Sequence, residues 1–301
     1  MNQSTDIHNT QTLDSPGERS GLSTRQRENL WRGIIFSILV VVGVAFFVPF
    51  YWMIVQATHT SAEILRLPPP LWFGDKPVVN YEGLVATIPF WRNYLNSVIV
   101  SSGVVVLTLV ICSMSGYAFA LLKFPAKDLL FGVLLATMMI PWVVSLIPWY
   151  IIMARFGWID TFKAIILPAG VNGFGVFWMR QYITAHVPAD LLDSARIDGC
   201  PEATIFPRVV APIITPAYGA LAILAFVNSW NNFFYPLIIL RSKEMFTLPV
   251  ALNFLNGDPY RGMDFGVTMM GTSLAVLPVM IVFWFASRRF IEGLTAGAIK
   301  G

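Results

Sequence analysis

Residues Pro188 to Pro216 read PADLLDSARIDGCPEATIFPRVVAPIITP. The stretch sets Asp190, Asp193, Arg196, Asp198, Glu202 and Arg208 between two runs, 164–179 and 209–240, that hold no Asp, Glu, Lys or Arg. Its first half has the pattern of a short amphipathic helix. Pro188 suits a first helical position, where no amide donor is needed. Asp190 and Asp193 favour the positive end of such a helix, Arg196 its negative end, and Gly199 can supply a left-handed stop. Leu191, Leu192 and Ala195 share one face. Pro201 can open a second helix, and Pro207, Pro212 and Pro216 punctuate the way into the next apolar run. The spacing predicts a small helix with an apolar face, held in a polar linker and shaped for docking. An ordinary loop closed by an Asp-Gly turn is the alternative that the stretch alone leaves open.

Composition settles the surroundings. The chain has 301 residues, of which 56% are hydrophobic and 12% charged. Soluble domains carry roughly 25% charged residues, so half that share predicts an integral membrane protein. Six uncharged segments can each cross a hydrocarbon core, which takes about 20 helical residues. They run over Gly33–Ala57, Leu95–Leu122, Leu129–Met153, Ala164–Met179 (extendable to Ile183), Ile213–Leu240 and Gly266–Ser287. The fourth is short and interrupted by Gly170, Gly173 and Gly175, which predicts an irregular helix whose glycines allow close packing. The fold class expected is therefore all-α, polytopic, with about six transmembrane helices. With the N-terminus inside, 12 of the 20 Lys and Arg residues fall in cytoplasmic segments, the sign the positive-inside rule requires. That orientation puts both termini and the Pro188–Pro207 stretch in the cytoplasm. Residues 1–31 are polar and lack apolar periodicity, which predicts a disordered cytoplasmic tail, and 32–301 form the membrane domain. The tail is too long and too acidic for a signal-peptide n-region, so the first apolar run is expected to stay in the protein.

Several function classes are excluded or weakened. No phosphate-binding Gly-x-x-x-x-Gly-Lys-Ser/Thr loop occurs, and no catalytic set has supporting context. Cys112 and Cys200 lie far apart, and His8, His59 and His186 are isolated, so neither a disulfide frame nor a metal site is expected. A net charge of +3 without a Lys/Arg run gives no nucleic-acid footprint. Spans free of ionisable groups argue against ion-coupled transport, where such residues mark the ion path.

The Pro188–Pro216 stretch resembles the EAA loop of ABC-importer permeases. Asp193-Ser194-Ala195, three further residues and Gly199 match its core, and Val209-Val210-Ala211-Pro212 its hydrophobic-Pro exit, so that the coupling loop covers 188–212. Asp193 stands where the pattern has Glu, and Ser194 where it has Ala. Other pieces follow in the order of the sugar-importer branch: Asn93-Tyr94-Leu95-Asn96-Ser97, Met138-Met139-Ile140-Pro141, Ser229-Trp230-Asn231-Asn232-Phe233 and Phe290-Ile291-Glu292-Gly293-Leu294. From about Asn80 onward the chain is similar to the second permease subunit of maltose-type importers. The resemblance implies a type I ABC-importer permease fold in a bacterial inner membrane, moving a carbohydrate. It implies as partners a second homologous permease, two ATPase subunits that bind the ATP and Mg, and an external solute-binding protein, with no cofactor held by this chain. The docking residues it implies are Leu191, Leu192, Asp193, Ser194, Ala195, Asp198 and Gly199. It places the tail Gly297–Gly301 near the ATPase pair.

Polar residues inside the spans admit two readings. Asn172, Asn228, Trp230, Asn231 and Asn232 could line a sugar pathway, or they could bond one helix to another, as polar side chains in membranes commonly do. The rival to the importer reading is a stand-alone channel or facilitator for a small polar solute, with a membrane enzyme third. The sequence leaves the cargo open among neutral and acidic oligosaccharides, polyols and glycerol-phosphate-like solutes.

Overall fold

Helices account for almost all of the regular structure, as burying backbone in lipid requires. The computed structural model describes residues 24–255 and 263–295, with backbone alone for 24, 26 and 286–295. The chain divides into two units, Met1–Tyr51 and Trp52–Gly301. The first unit holds most of α1 (Thr24–Gln56), where the apolar side chains from Leu30 to Phe50 are exposed all round, the pattern of a span solvated by lipid, whereas Val55 at its end is buried. α1 starts eight residues before the tail read as 1–31 ends. Arg25, Gln26, Arg27 and Glu28 are good helix formers, and extending an existing helix is easier than starting one. Residues 1–23, and the tail Gly297–Gly301, lie outside the described residues.

The second unit opens with α2 (Ser61–Ile64) and α3 (Pro77–Thr87), in the segment that holds the proline run; Leu67–Pro68 is cis. Then comes α4 (Phe90–Leu121), the axis of the unit. α5 (Lys127–Thr137) and α6 (Trp142–Arg155) meet at 101°, so the third predicted span is a bent pair. Pro141 explains the bend: it has no N–H, disfavours helical backbone in the residue before it, and itself leaves the helical region at ψ 128°. The fourth predicted span is also two helices, α7 (Lys163–Ala169) and α8 (Gly173–His186), broken at Gly170–Asn172. α9 (Asp190–Ile197) and α10 (Glu202–Ile205) follow, then a π-helical turn over Phe206–Val210 and α11 (Ala211–Ile213). α12 (Thr215–Trp230) turns away at 82°, and α13 (Phe234–Ile239), α14 (Leu248–Phe254) and α15 (Phe265–Thr295) complete the chain. Among the described residues, three helices are long and apolar enough to cross a membrane alone, or five elements if each bent pair counts as one.

Two apolar cores are stacked along α4. Phe90, Val100 and Val104 from its first half pack with α7, α13 and α14. Cys112 and Tyr117 from its second half pack with α8, α9 and the start of α12. Polar bonds fix both ends of α4. At its start the Asn93 amide donates to the carbonyls of Lys243 (2.9 Å) and Phe246 (3.0 Å), and the Asn96 amide to those of Glu244 (2.7 Å) and Phe246 (3.0 Å). The Leu248 N–H donates to Ser97 Oγ at 2.8 Å. The motif that opens the second predicted span is therefore a strap for a distant segment. At the other end Lys127 Nζ donates to the carbonyls of Ala120 and Leu122, and Arg180 Nε to that of Phe119, satisfying carbonyls the helix leaves bare. The Arg180 guanidinium also lies 4.1 Å from the centre of the Phe131 ring.

α4 and α8 touch most closely at Gly116. A Cβ there would lie 2.6 Å from Met179 Cβ and 2.8 Å from the Arg180 backbone nitrogen, so neither neighbour can swing aside. Gly116→Ala should therefore cost about 1–3 kcal/mol through overpacking, read as a lower melting temperature of the detergent-solubilised protein.

Beside the strapped segment, Asp160 locks the α6–α7 loop. It sits at φ 59°, and its carboxylate accepts from the Arg241 N–H (2.9 Å), the Ser242 N–H (3.2 Å) and the Ser242 hydroxyl. Burial pushes its pKa up, but the hydrogen bonds together outweigh burial and hold it below the ordinary carboxylate value. A lowered folded-state pKa means the lock is intact above the unfolded-state value and is lost as pH falls through the folded one. The protection factors of the Arg241 and Ser242 amides, taken against the intrinsic exchange rate at each pH, should fall at acid pH in the native chain, whereas in Asp160→Asn they should be low already at neutral pH.

Candidate functional site

The short helix expected over Pro188–Ile197 forms as α9 (Asp190–Ile197), with Ala189 as its N-cap, so Pro188 precedes the helix rather than opening it. Its first turn carries Asp190 and Asp193, whose charges suit the positive helix end. Its last turn ends in a Schellman motif: the Cys200 N–H donates to Ala195 O (2.9 Å) and the Gly199 N–H to Arg196 O (3.0 Å). Gly199 adopts φ +78°, the left-handed conformation expected of it. Arg196 joins α9 to the next helix, donating to Asp193 (2.8 Å) and to Glu202 (2.6 Å). These bonds, Glu202 first, raise the basicity of its guanidinium further.

The apolar face is divided differently from the prediction. Leu192 is only 2% exposed and belongs to the core with Tyr117, Ile183, Val187 and Ile205, and Ala195 packs against that core. Leu192 therefore offers no surface to a partner, and Ala195 little; this face holds α9 to its own chain. Leu191 (36% exposed) and Ile197 (86%) turn outward instead, with Asp190, Ser194, Asp198 and Gly199. Asp193 is exposed but already paired with Arg196. A cleft of about 430 Å³ separates α9 from the end of α4, between Leu121, Leu122 and Lys123 on one side and Ala189, Leu192, Asp193 and Arg196 on the other, with Leu192 at its floor. Two adjacent leucines explain the misreading: either can be the core residue, and the distant Val187 and Tyr117 decide which.

Three of the five predicted pathway residues come together. Asn172, Asn228 and Asn232 line a chamber of about 340 Å³ between α4, α7, α8 and α12. Asn172 also caps α8, its Oδ1 accepting from the Gly175 N–H at 2.5 Å. Trp230 is excluded: it is buried, its Nε1 donates to Ala275 O (3.1 Å), and its ring stacks on Phe226 and meets Tyr94 edge-on. It serves as glue between helices. Asn231 ends α12, exposed and outside the chamber. Thr108 and Ser229 line the chamber too, and a neighbouring hollow of about 190 Å³ adds Trp149 and Tyr235. No spacing in the sequence singles these out, because the helices that bring them together lie far apart along the chain.

The second unit thus holds two separate features, the outward side of α9 and a chamber in which Asn172, Asn228 and Asn232 stand among apolar side chains. Residues 109–295 match the family described as binding-protein-dependent transport system inner membrane component, and the chain belongs to that family. It is 37% identical over 277 residues to the arabinooligosaccharides transport system permease protein AraQ of Bacillus subtilis (strain 168), covering 91% of this chain and 97% of that protein. Identity is 30% to the lactose transport system permease protein LacG of Rhizobium radiobacter, covering 93% and 100%. In fold it is similar to a chain from a bacterial ABC transporter involved in the import of the acidic polysaccharide alginate. The TM-score is 0.76 at 21% identity, covering 90% of this chain and 99% of that one.

A Cβ at Gly199 meets no atom within 4 Å, so a substitution there acts through the backbone alone, at roughly 1 kcal/mol. Gly199→Val should leave the protein inserted and at normal yield while tilting α9, and uptake into vesicles should fall severalfold.

Proposed function

We propose that the chain is one of two permease subunits of an ATP-driven importer that moves an oligosaccharide across a bacterial inner membrane. α9 is the joint that receives motion from an ATPase. The observation that carries this reading is the way α9 is held. Leu192 anchors it in the core, the Schellman turn at Gly199 fixes its length, and Arg196 braces it against Glu202. A push on Leu191, Ser194 or Ile197 is thereby passed to α8 and α12 rather than absorbed by a loose linker. The relatives named for arabinooligosaccharide and lactose transport support a carbohydrate cargo. ATP and Mg belong to the two ATPase partners, and an external binding protein delivers the sugar. α9 and both chain termini face the cytoplasm, the strapped 241–247 segment faces outward, and Asn172, Asn228 and Asn232 line the path.

Cysteine crosslinking in the assembled complex tests the docking. Ile197→Cys should crosslink readily to the ATPase, and Leu192→Cys should not. Crosslinks from position 192 but none from 197 would reverse the assignment of the faces, and none from either, with the complex intact, would remove α9 from the interface.

A further inference from the structure

Resting on the importer reading, we infer that this chain itself binds the cargo in transit and that its chamber selects a neutral saccharide. Thr108 gives the strongest reason. Hydroxyls inside membrane helices normally bond back to the carbonyl four residues earlier, as Thr272 does to Thr268 and Ser113 to Leu109. Thr108 does not: it is 0% exposed and its Oγ1 has no partner among the described residues, and of the Ser and Thr hydroxyls of the spans in that state (Ser101 and Ser273 are the others) it is the one that lines the chamber. A buried hydroxyl without a partner is costly in a low-dielectric setting, and a ligand hydroxyl at that place would satisfy it.

The other polar residues of the lining, set among Val104, Ile165, Leu221 and Leu224, have the same character. Asn172 spends its oxygen on the α8 cap and keeps its amide N–H groups to donate. Ser229, Asn228 and Asn232 have no side-chain partner among the described residues, and each can both donate and accept. Such groups replace, one for one, the waters around sugar hydroxyls. Asn232 also lines the adjoining hollow, where Trp149 and Tyr235 stand perpendicular with ring centres 4.7 Å apart. Their faces form an apolar corner for the C–H side of a sugar ring.

Charge decides the class of sugar. Neither space is lined by Asp, Glu, Lys or Arg. A carboxylate or phosphate entering there would lose its water and gain no cation, which is the least favourable exchange a membrane interior offers. The fold similarity to a transporter of an acidic polysaccharide does not carry that cargo over to this lining.

The test uses the complete importer, purified with its ATPase and partner permease, carrying Phe174→Cys at the chamber wall. Labelling of that cysteine by a small maleimide is followed with arabinotriose or with trigalacturonate, in the absence of binding protein. Arabinotriose should slow labelling severalfold and trigalacturonate should not. Thr108→Val should weaken the protection about tenfold, the loss of roughly one buried hydrogen bond, and Thr108→Ser should keep it. Equal protection by the uronate, no protection by the neutral sugar, or full protection in Thr108→Val would each overturn the inference. The importer reading is judged separately, by ATP-dependent sugar uptake of the complex with its binding protein; absence of uptake would overturn that reading even where labelling is protected.

Discussion

The closeness of α4 and α8 at Gly116 governs the rest of the second unit. Because a hydrogen stands where other residues have a Cβ, the α8 backbone at Met179 and Arg180 can lie directly on α4. That placement delivers the Arg180 guanidinium to the Phe119 carbonyl and to the face of Phe131. It also sets where α8 ends, and so where Val187 and Leu192 enter the core. From one missing methyl group the order runs to the capping of α4, then to the end of α8, then to the seat of α9. Each link is rigid, since packed side chains and charge-assisted bonds have few alternative arrangements.

The same geometry makes the chamber. α7 and α8 are separated by the short break at Gly170–Asn172, and α12 and α13 by another at Asn231–Phe233. Breaks of this kind free backbone and amide groups at the depth where continuous helices would show only apolar sides. Non-helical backbone is tolerated there because it is enclosed by protein rather than by lipid. The amides in this space owe much to interrupted helices: Asn172 and Asn232 fall in the two breaks, while Asn228 projects from within α12.

How much of this can be read from sequence depends on the range of the interaction. Local chemistry is legible: the uncharged runs become helices, Gly199 stops α9, and the glycines at 170–175 mark a real break. Pro141 could have announced the bend between α5 and α6, but the apolar run around it masks the signal. Long-range choices are not legible. Leu191 and Leu192 are neighbours with equal hydrophobicity, and only the arrival of Val187 and Tyr117 turns one of them inward. The bond from Asn93 to Lys243 joins residues 150 positions apart, and no pattern in either segment announces it. Thr108 and Trp230 show both sides of the problem, since an ordinary-looking threonine lines the chamber while a conspicuous tryptophan is structural glue. The family resemblance covers the fold well because folds are shared, and it says less about the docking face because that depends on details of packing.

The strap at the start of α4 has a further consequence. Asn93 and Asn96 grip the carbonyl oxygens of Lys243, Glu244 and Phe246, which are atoms every amino acid possesses. The course of that segment is therefore independent of the side chains at 243 and 244, both of which stand exposed. Those two positions can be exchanged freely without moving the chain that carries them. The protein owns, at the end of α4 remote from α9, a mounting whose shape is constant and whose chemistry is open to variation.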